Sequence, residues 1–442
     1  MVRSKASLDA ELLKMTPKSR ALWERGKDSM PGGIIKGAYW RPPHPIYVQK
    51  AEGCHIWDID GNRYVDFENH HSTTVLGHNP PGVMAELKNA MEMGIGLGHP
   101  TEYEAEISEE ITRRFPSIER VRFANSGTEA SLHATRLIRA KTGKPKIAKF
   151  EGAYHGSHDA LEVSVAPPLD KAGEATSPKA VPTHKGMSRA ANDEVIILPY
   201  NDRESVELIL REHKDEVAGV FYDGKPGMLD IPDDFTKFVR KITQELGMYM
   251  VMDEVVSFRA GPGGYQGEAG VKPDLSIFGK AFGGGLPVGA IGGRRELMDV
   301  LDNTGAPTGL FQSGTFSGNH FTLAAGLATL RGLTPEVYEQ LEGLRARLHK
   351  GLEAAFKKAG VPCQVLSRGS MINAYIAEKP VKDYRSARQA DGAMLERIIV
   401  GLLIKGYSIG PTPMSMTLST PMSDATIDGF LKALSEVLAD KD

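Results

Sequence analysis

Between about residue 76 and residue 325 the chain repeats one pattern, a short apolar run followed by a stretch with helical spacing. The runs are VRFAN, KIAKFEG, EVIILPYN, GVFYD, MYMVMDEV, DLSIFG and VGAIGG. Alternation of this kind predicts an α/β fold in which a mostly parallel sheet is covered by helices and functional groups gather at strand ends. Outside that region the pattern changes. SRALWERGKDSM reads as a helix stopped by Pro31-Gly32-Gly33, and CHIWDIDGNRYVDF as two strands joined by a DGN turn. Near the other end, SDATIDGFLKALSEVL places Ile427, Phe430, Leu431, Leu434, Val437 and Leu438 on one helical face, with Ser423 or Asp424 as the cap. That stripe predicts a helix packed on the core of a smaller domain. The expected division is 1–75 as an N-terminal segment, 76–325 as the large domain and 326–442 as the C-terminal small domain.

Residues 164–193 carry four prolines and little periodicity. A loop this long within a domain reads either as a surface insertion or as a lid.

Composition narrows the class. With 41% apolar, 25% charged and 7% aromatic residues, the chain reads as an ordinary globular protein, and no run approaches the roughly 18 apolar residues of a membrane span. A net charge of -3 offers no broad basic field for nucleic acid, so a small-molecule partner is expected. Cys54 and Cys363 alone suggest neither a disulfide framework nor a cysteine metal site. The start, MVRSKASLDAELLKMTPKSR, shows no apolar signal core, and a cytoplasmic location is the expectation.

Candidate chemistry sits at the ends of the apolar runs. In NSGTEASLHATRLIRAKTG, Ser126, Gly127 and Thr128 precede a helix and read either as an N-cap or as a phosphate cradle of free N–H groups and hydroxyls. Asp253 and Glu254 close MYMVMDEV; a carboxylate there can serve a pyridinium nitrogen, cap a helix or bind metal. Lys280 ends DLSIFG beside Gly283-Gly284-Gly285. A lysine so placed is costly unless paired, neutralised or used covalently, and it can hold an aldehyde cofactor as a Schiff base and then act as a base. A P-loop is broken by Asp274 and Ala281. In FEGAYHGSHD, Tyr154 is a ring that could stack on a cofactor, while His155, His158 and Asp159 lack a third-ligand motif, so no metal is expected. His70-His71 reads as a structural pair or a pocket wall.

Taken together, NSGTEA, KFEGAYHG, the DEV strand, PDLSIFGKAFGGGLPVGAIGGR and SGTFSGN resemble, in order and spacing, the class III aminotransferases. These use pyridoxal 5'-phosphate on the fold type I scaffold. The resemblance runs from ERGKDSMPGG to TPMSDATID and is closest to the branch holding glutamate-1-semialdehyde aminomutase and the β-amino-acid aminotransferases, such as β-phenylalanine aminotransferase. It implies a mostly parallel, seven-stranded type of sheet in a large domain, with a smaller α+β domain formed from both chain ends. It further implies that Lys280 holds the cofactor and shuttles the proton, and that Asp253 pairs with the pyridine nitrogen. Ser126, Gly127 and Thr128 would hold the phosphate, while Tyr154 and Val255 would flank the ring. Thr315 would reach the phosphate of a neighbouring subunit, making the enzyme a homodimer with shared active sites.

Two departures stand out. Asp223-Gly224 replaces the family's usual Glu-Pro pair, and IGPTPMSMTLSTPMS has no arginine to grip a substrate carboxylate. Lys36 and Arg41 are left as carboxylate-binding candidates or surface charges. The expected function is amino transfer between an amine or β-amino-acid-like donor and a keto acid or aldehyde. An aminomutase or racemase is the alternative, and a catalytically silent scaffold the remote one.

Overall fold

A computed structural model describes residues 3–304, 310–410 and 413–440. All seven apolar runs become strands of one sheet: β1 (Arg120–Ala124), β2 (Lys146–Phe150), β3 (Val195–Leu198), β4 (Val217–Tyr222), β5 (Tyr249–Asp253), β6 (Leu275–Gly279) and β7 (Gly289–Gly293). Their order is β1-β7-β6-β5-β4-β2-β3. Ladders β6–β5–β4–β2–β3 are parallel, and β7 runs antiparallel to both neighbours. Central strands are buried along nearly their whole length, with few polar positions, because helices cover both faces. All six residues of β4 and all five of β6 are buried.

The helix Gly127–Thr142, here α1, shows how sequence becomes core. Ala130, Ala134, Leu137 and Ile138 point inward at helical spacing and join Ile147, Val251, Ile277 and Ile291 in one cluster. Gly143, at φ 70°, ends the helix in a left-handed turn.

The chain divides into two compact units. One holds residues 81–335 and 381–388; the other holds 1–80, 336–380 and 389–442. The second unit joins the two chain ends directly, since Tyr407–Ser408 adds in parallel to Arg63–Asp66, the edge of an antiparallel sheet with Val48–Glu52 and His55–Asp58. The DGN turn links His55–Asp58 to Arg63–Asp66, as expected. The helix Asp424–Ala439 is capped by Ser423 and buries Ile427, Phe430, Leu434, Val437 and Leu438. The helix read from SRALWERGKDSM spans Pro17–Gly26, ending earlier than that stretch suggests, and the chain then turns so that Gly33 packs under Trp23; another helix, Lys5–Met15, precedes it.

Residues 164–193 form a short hairpin, Gly173–Glu174 with Ser177–Pro178, and a helical turn, Arg189–Asp193. The segment 381–388 straps the start of this loop. Arg385 forms a two-pronged ion pair with Glu151 at 2.9 and 3.0 Å and donates to the carbonyls of Ala172, Gly173 and Glu174. Tyr384 donates to the Pro167 carbonyl. Glu151 is buried, so Arg385→Ala would strand its charge. The expected loss is about 3 kcal/mol, read as a lower denaturant midpoint; an unchanged midpoint would show that the strap contributes nothing.

Among the described residues no helix is long and apolar enough to cross a membrane.

Candidate active site at the carboxyl edge of the sheet

Every candidate drawn from the strand ends lies at one edge, because parallel strands deliver their carboxyl ends to the same side. Ser126 is the N-cap of α1; its hydroxyl accepts from the Glu129 N–H at 3.1 Å. Capping occupies one lone pair and leaves the hydroxyl proton free, together with N–H groups of the first turn that no helical carbonyl can reach. The cap and the cradle are therefore compatible. The Thr128 hydroxyl accepts from Ser157 N–H at 3.2 Å, which ties the cradle to the loop bearing Tyr154.

Val255 joins the pieces. A methyl added at Gly127 would come within 3.0 Å of a Val255 methyl, and one at Gly279 within 3.3 Å. The α1 start, the end of β5 and the residue before Lys280 are thus in mutual contact. Lys280 is half-buried and takes φ 52°, a left-handed conformation unusual for a lysine. Such strain costs of order 1–3 kcal/mol and collects at functional sites.

Asp253 is almost fully buried. One oxygen accepts from Val255 N–H at 2.9 Å, and the other lies 2.7 Å from His155 Nδ1. Burial pushes the His155 imidazole below its ordinary value against the pull of Asp253; facing a carboxylate oxygen, Nδ1 donates, and Nε2 is left buried without a partner. Asp253 is held in one orientation with lone pairs still to offer. Tyr154, one residue before His155, is 51% exposed, with its hydroxyl 2.9 Å from Ser157 Oγ; its ring face is open to a ligand. Cradle, oriented carboxylate, lysine and open ring form a donor set that fits pyridoxal 5'-phosphate.

The neighbouring acid does other work. Glu254 is buried and accepts from Ser257 Oγ, Tyr265 N–H and Gln266, at 2.5 to 3.3 Å, fastening the 254–266 segment; burial raises its carboxyl to about 7.

Sequence reading missed Lys149, the one lysine that is fully buried among the described residues. Its ammonium donates to the carbonyls of Ala153, Leu161 and Val163 at 2.6 to 2.9 Å and so folds the loop carrying Tyr154 and His155, while burial pushes it well below the usual lysine value. The only signal was a lysine inside an apolar run. The metal-ligating possibility for His155 and His158 gives way to two separate tasks. His155 serves Asp253, and His158 lies 3.2 Å from Ser131 Oγ. Among the described residues no group of three or more His, Cys, Asp or Glu is arranged to hold a metal ion.

Burial lowers His158 to about 4. The folded value lies below the unfolded value of about 6.5, so this histidine favours folding above pH 6.5 and opposes it as the pH falls toward 4. Between pH 7 and pH 5 it is expected to remove about 2 kcal/mol of stability. Denaturant melts should show that loss shrinking by a similar amount in His158→Gln; an equal acid loss in both proteins would refute the assignment.

Asp223-Gly224 follows β4. Burial alone would raise the Asp223 carboxyl, but Lys225, 3.0 Å away, and His155 outweigh it and hold it below its usual value. Proline could not occupy position 224, because even a Cβ there would fall inside the Tyr265 ring. The departure from Glu-Pro is built into the packing.

Three candidates lie elsewhere. Thr315 is exposed on a turn beside Asn125, through Ser317. Lys36 and Arg41 belong to the other unit. Arg41 is no free cation: it pairs with Glu68 and donates to Ile409 O at 2.7 Å. The Lys36 ammonium lies 4.3 Å above the Tyr39 ring. Arg41 lines a largely apolar cavity of about 450 Å³ within that unit, together with Ile34, Tyr39, Ile46, Ile56, His70 and His71 among others. The two histidines belong to a turn, Asn69–Ser72, with four consecutive left-handed residues, an arrangement that L-residues resist. Of the IGPTPMSMTLSTPMS stretch, residues 411 and 412 lie outside the described residues.

Known proteins share both sequence and shape. The aminotransferase class-III family profile matches residues 37–438. Glutamate-1-semialdehyde 2,1-aminomutase 2 of Bacillus licheniformis is 38% identical over 429 residues, 95% of this chain and 97% of that one. The crystal structure of an omega-transaminase from Sphaerobacter thermophilus superposes with TM-score 0.92 at 38% identity, covering 96% of this chain and 97% of that one. A transaminase solved with PLP bound gives TM-score 0.87 at 31% identity over the same shares. The chain therefore belongs to the class III aminotransferases, with their fold type I architecture and their cofactor, pyridoxal 5'-phosphate.

Proposed function

We propose that the carboxyl edge of the large unit is an amino-group transfer site in which Lys280 is the catalytic residue. The observation that carries this reading is the strained Lys280, brought by Val255 into one cluster with the α1 start and the end of β5. Ser126, Gly127 and Thr128 bind the cofactor phosphate through hydroxyls and first-turn N–H groups. Tyr154 and Val255 bound the two faces of the ring. Asp253, aimed by His155 and the Val255 N–H, keeps the ring nitrogen protonated. When bound, pyridoxal phosphate supplies an electron sink for the carbanion left at the substrate carbon. Lys280 Nζ takes the proton from that carbon and returns it at the end of transfer. Thr315, exposed in a single chain, completes the phosphate site of a second copy in a homodimer.

Two forms of the reaction share this machinery. In one the amino group returns to the same carbon skeleton, as in the aminomutases; the name of the curated relative supports this form above the other. In the other it passes to a separate keto acid or aldehyde, the form put first from sequence, which the omega-transaminase structure supports. Product formation with and without pyruvate or 2-oxoglutarate separates them. Turnover of glutamate-1-semialdehyde that ignores added acceptor establishes the internal form. Strict dependence on an acceptor overturns it.

A further inference from the structure

At the opposite, amino edge of the large sheet lies an open depression of about 490 Å³ lined by Lys237, Arg240, Lys241, Lys272 and Arg294, with Glu119 the one acid on its wall. Three of the cations come from one helix, Asp233–Glu245 (α2), whose other face buries Phe235, Val239 and Ile242. Positions 237, 240, 241 and 244 fall at the spacing of a single helical face. A protein of net charge -3 thus concentrates positive charge at one place.

The arginines are held in advance. Asp274, 4% exposed, takes two bonds from Arg240, at 2.6 and 3.2 Å, one from Arg294 at 3.0 Å and one from Met250 N–H at 2.8 Å. Oriented guanidinium groups bind phosphate better than flexible ones because less freedom is lost on contact. The Arg294 Nε is buried without a partner. Among the described residues, Lys237 and Lys272 form no ion pair. Counting Asp274 and Glu119 against the five cations leaves three positive charges in excess. Glu245 and Glu296 stand at the rim, near Lys241 and Arg294, where solvent makes such pairs weak. A phosphate carries about 1.5 to 2 negative charges at neutral pH, so the excess matches two phosphates closely.

We infer that this depression binds a small molecule bearing a diphosphate group, at a site separate from the cofactor edge. Strands β5 and β6 run between the two edges, five residues each, a span of roughly 17 Å. The test is calorimetric titration of the cofactor-loaded enzyme with inorganic pyrophosphate at low ionic strength, alongside Lys237→Glu/Lys272→Glu. Both lysines are exposed, and the milder Lys237→Gln/Lys272→Gln serves if the reversed pair fails to fold. The expected result is one saturable site per chain, weakened at least tenfold in the variant, with cofactor absorbance unchanged. No saturable heat, equal affinity in the variant, equal binding of citrate, reproduction of the heat by sodium chloride, or binding confined to duplex RNA would each overturn the inference.

Discussion

Lys280→Ala is expected to lower the rate of the amine half-reaction by roughly 10⁴-fold or more, because the residue combines the covalent anchor and the proton carrier in one side chain. At about 1.4 kcal/mol per tenfold, the barrier rises by about 5.5 kcal/mol. Folding should survive, because alanine carries the same Cβ into φ 52° and leaves the backbone strain as it is. The measurement is single-turnover absorbance with an amine donor, paired with borohydride treatment and mass analysis of the chain. In the parent, reduction should fix the cofactor to residue 280; in the variant, it should fix none. Near-normal turnover in the variant would remove Lys280 from the chemistry, whatever the fate of the diphosphate site.

Asp253→Asn is the second large effect. An amide retains the shape but cannot hold a proton on the ring nitrogen as a carboxylate does. Losing one partner of a buried charged pair costs about 3–5 kcal/mol, so the half-reaction should slow by roughly 10² to 10⁴-fold. The same change deprives His155 of its acceptor charge across a 2.7 Å contact. His155→Asn should therefore move activity in the same direction but by less, since Val255 N–H still holds the other Asp253 oxygen. A useful readout is the pH dependence of the bound cofactor's absorbance, which should shift in both variants. A stable Asp253→Asn protein with parental rates and an unmoved spectrum would show that the carboxylate does not serve the ring.

What could be read from the chain follows from how local each signal is. Seven apolar runs announce seven strands because a strand buried on both faces is apolar at nearly every position. The Ser126 cap, the Gly143 stop and the helix at 424–439 depend on neighbours within one or two turns. Lys280 was visible because a charged residue between a buried strand and three glycines has few inexpensive explanations.

Other features have no local signature. His155 meets Asp253 across 98 residues, and Arg385 reaches Glu151 across 234. Nothing near either residue names its partner, so the task of His155 and the strap were both invisible. Arg41 seemed available to a substrate until Glu68 and Ile409 were found to claim it. The proline-rich loop could not be resolved into insertion or lid from sequence, since the contacts that pin it come from residues 384 and 385.

The sequence by itself determined the seven strands of the large unit's sheet, several of the helices and turns around them, and the chemical kinds of residue at the strand ends, because periodicity, capping and turn chemistry are short-range. Only the tertiary structure decided which charges are spent on the scaffold and which are left to act. Lys149, Arg385 and Arg41 are all cations on paper, but the cost of burying an unpaired charge assigns each of them to partners distant in the chain.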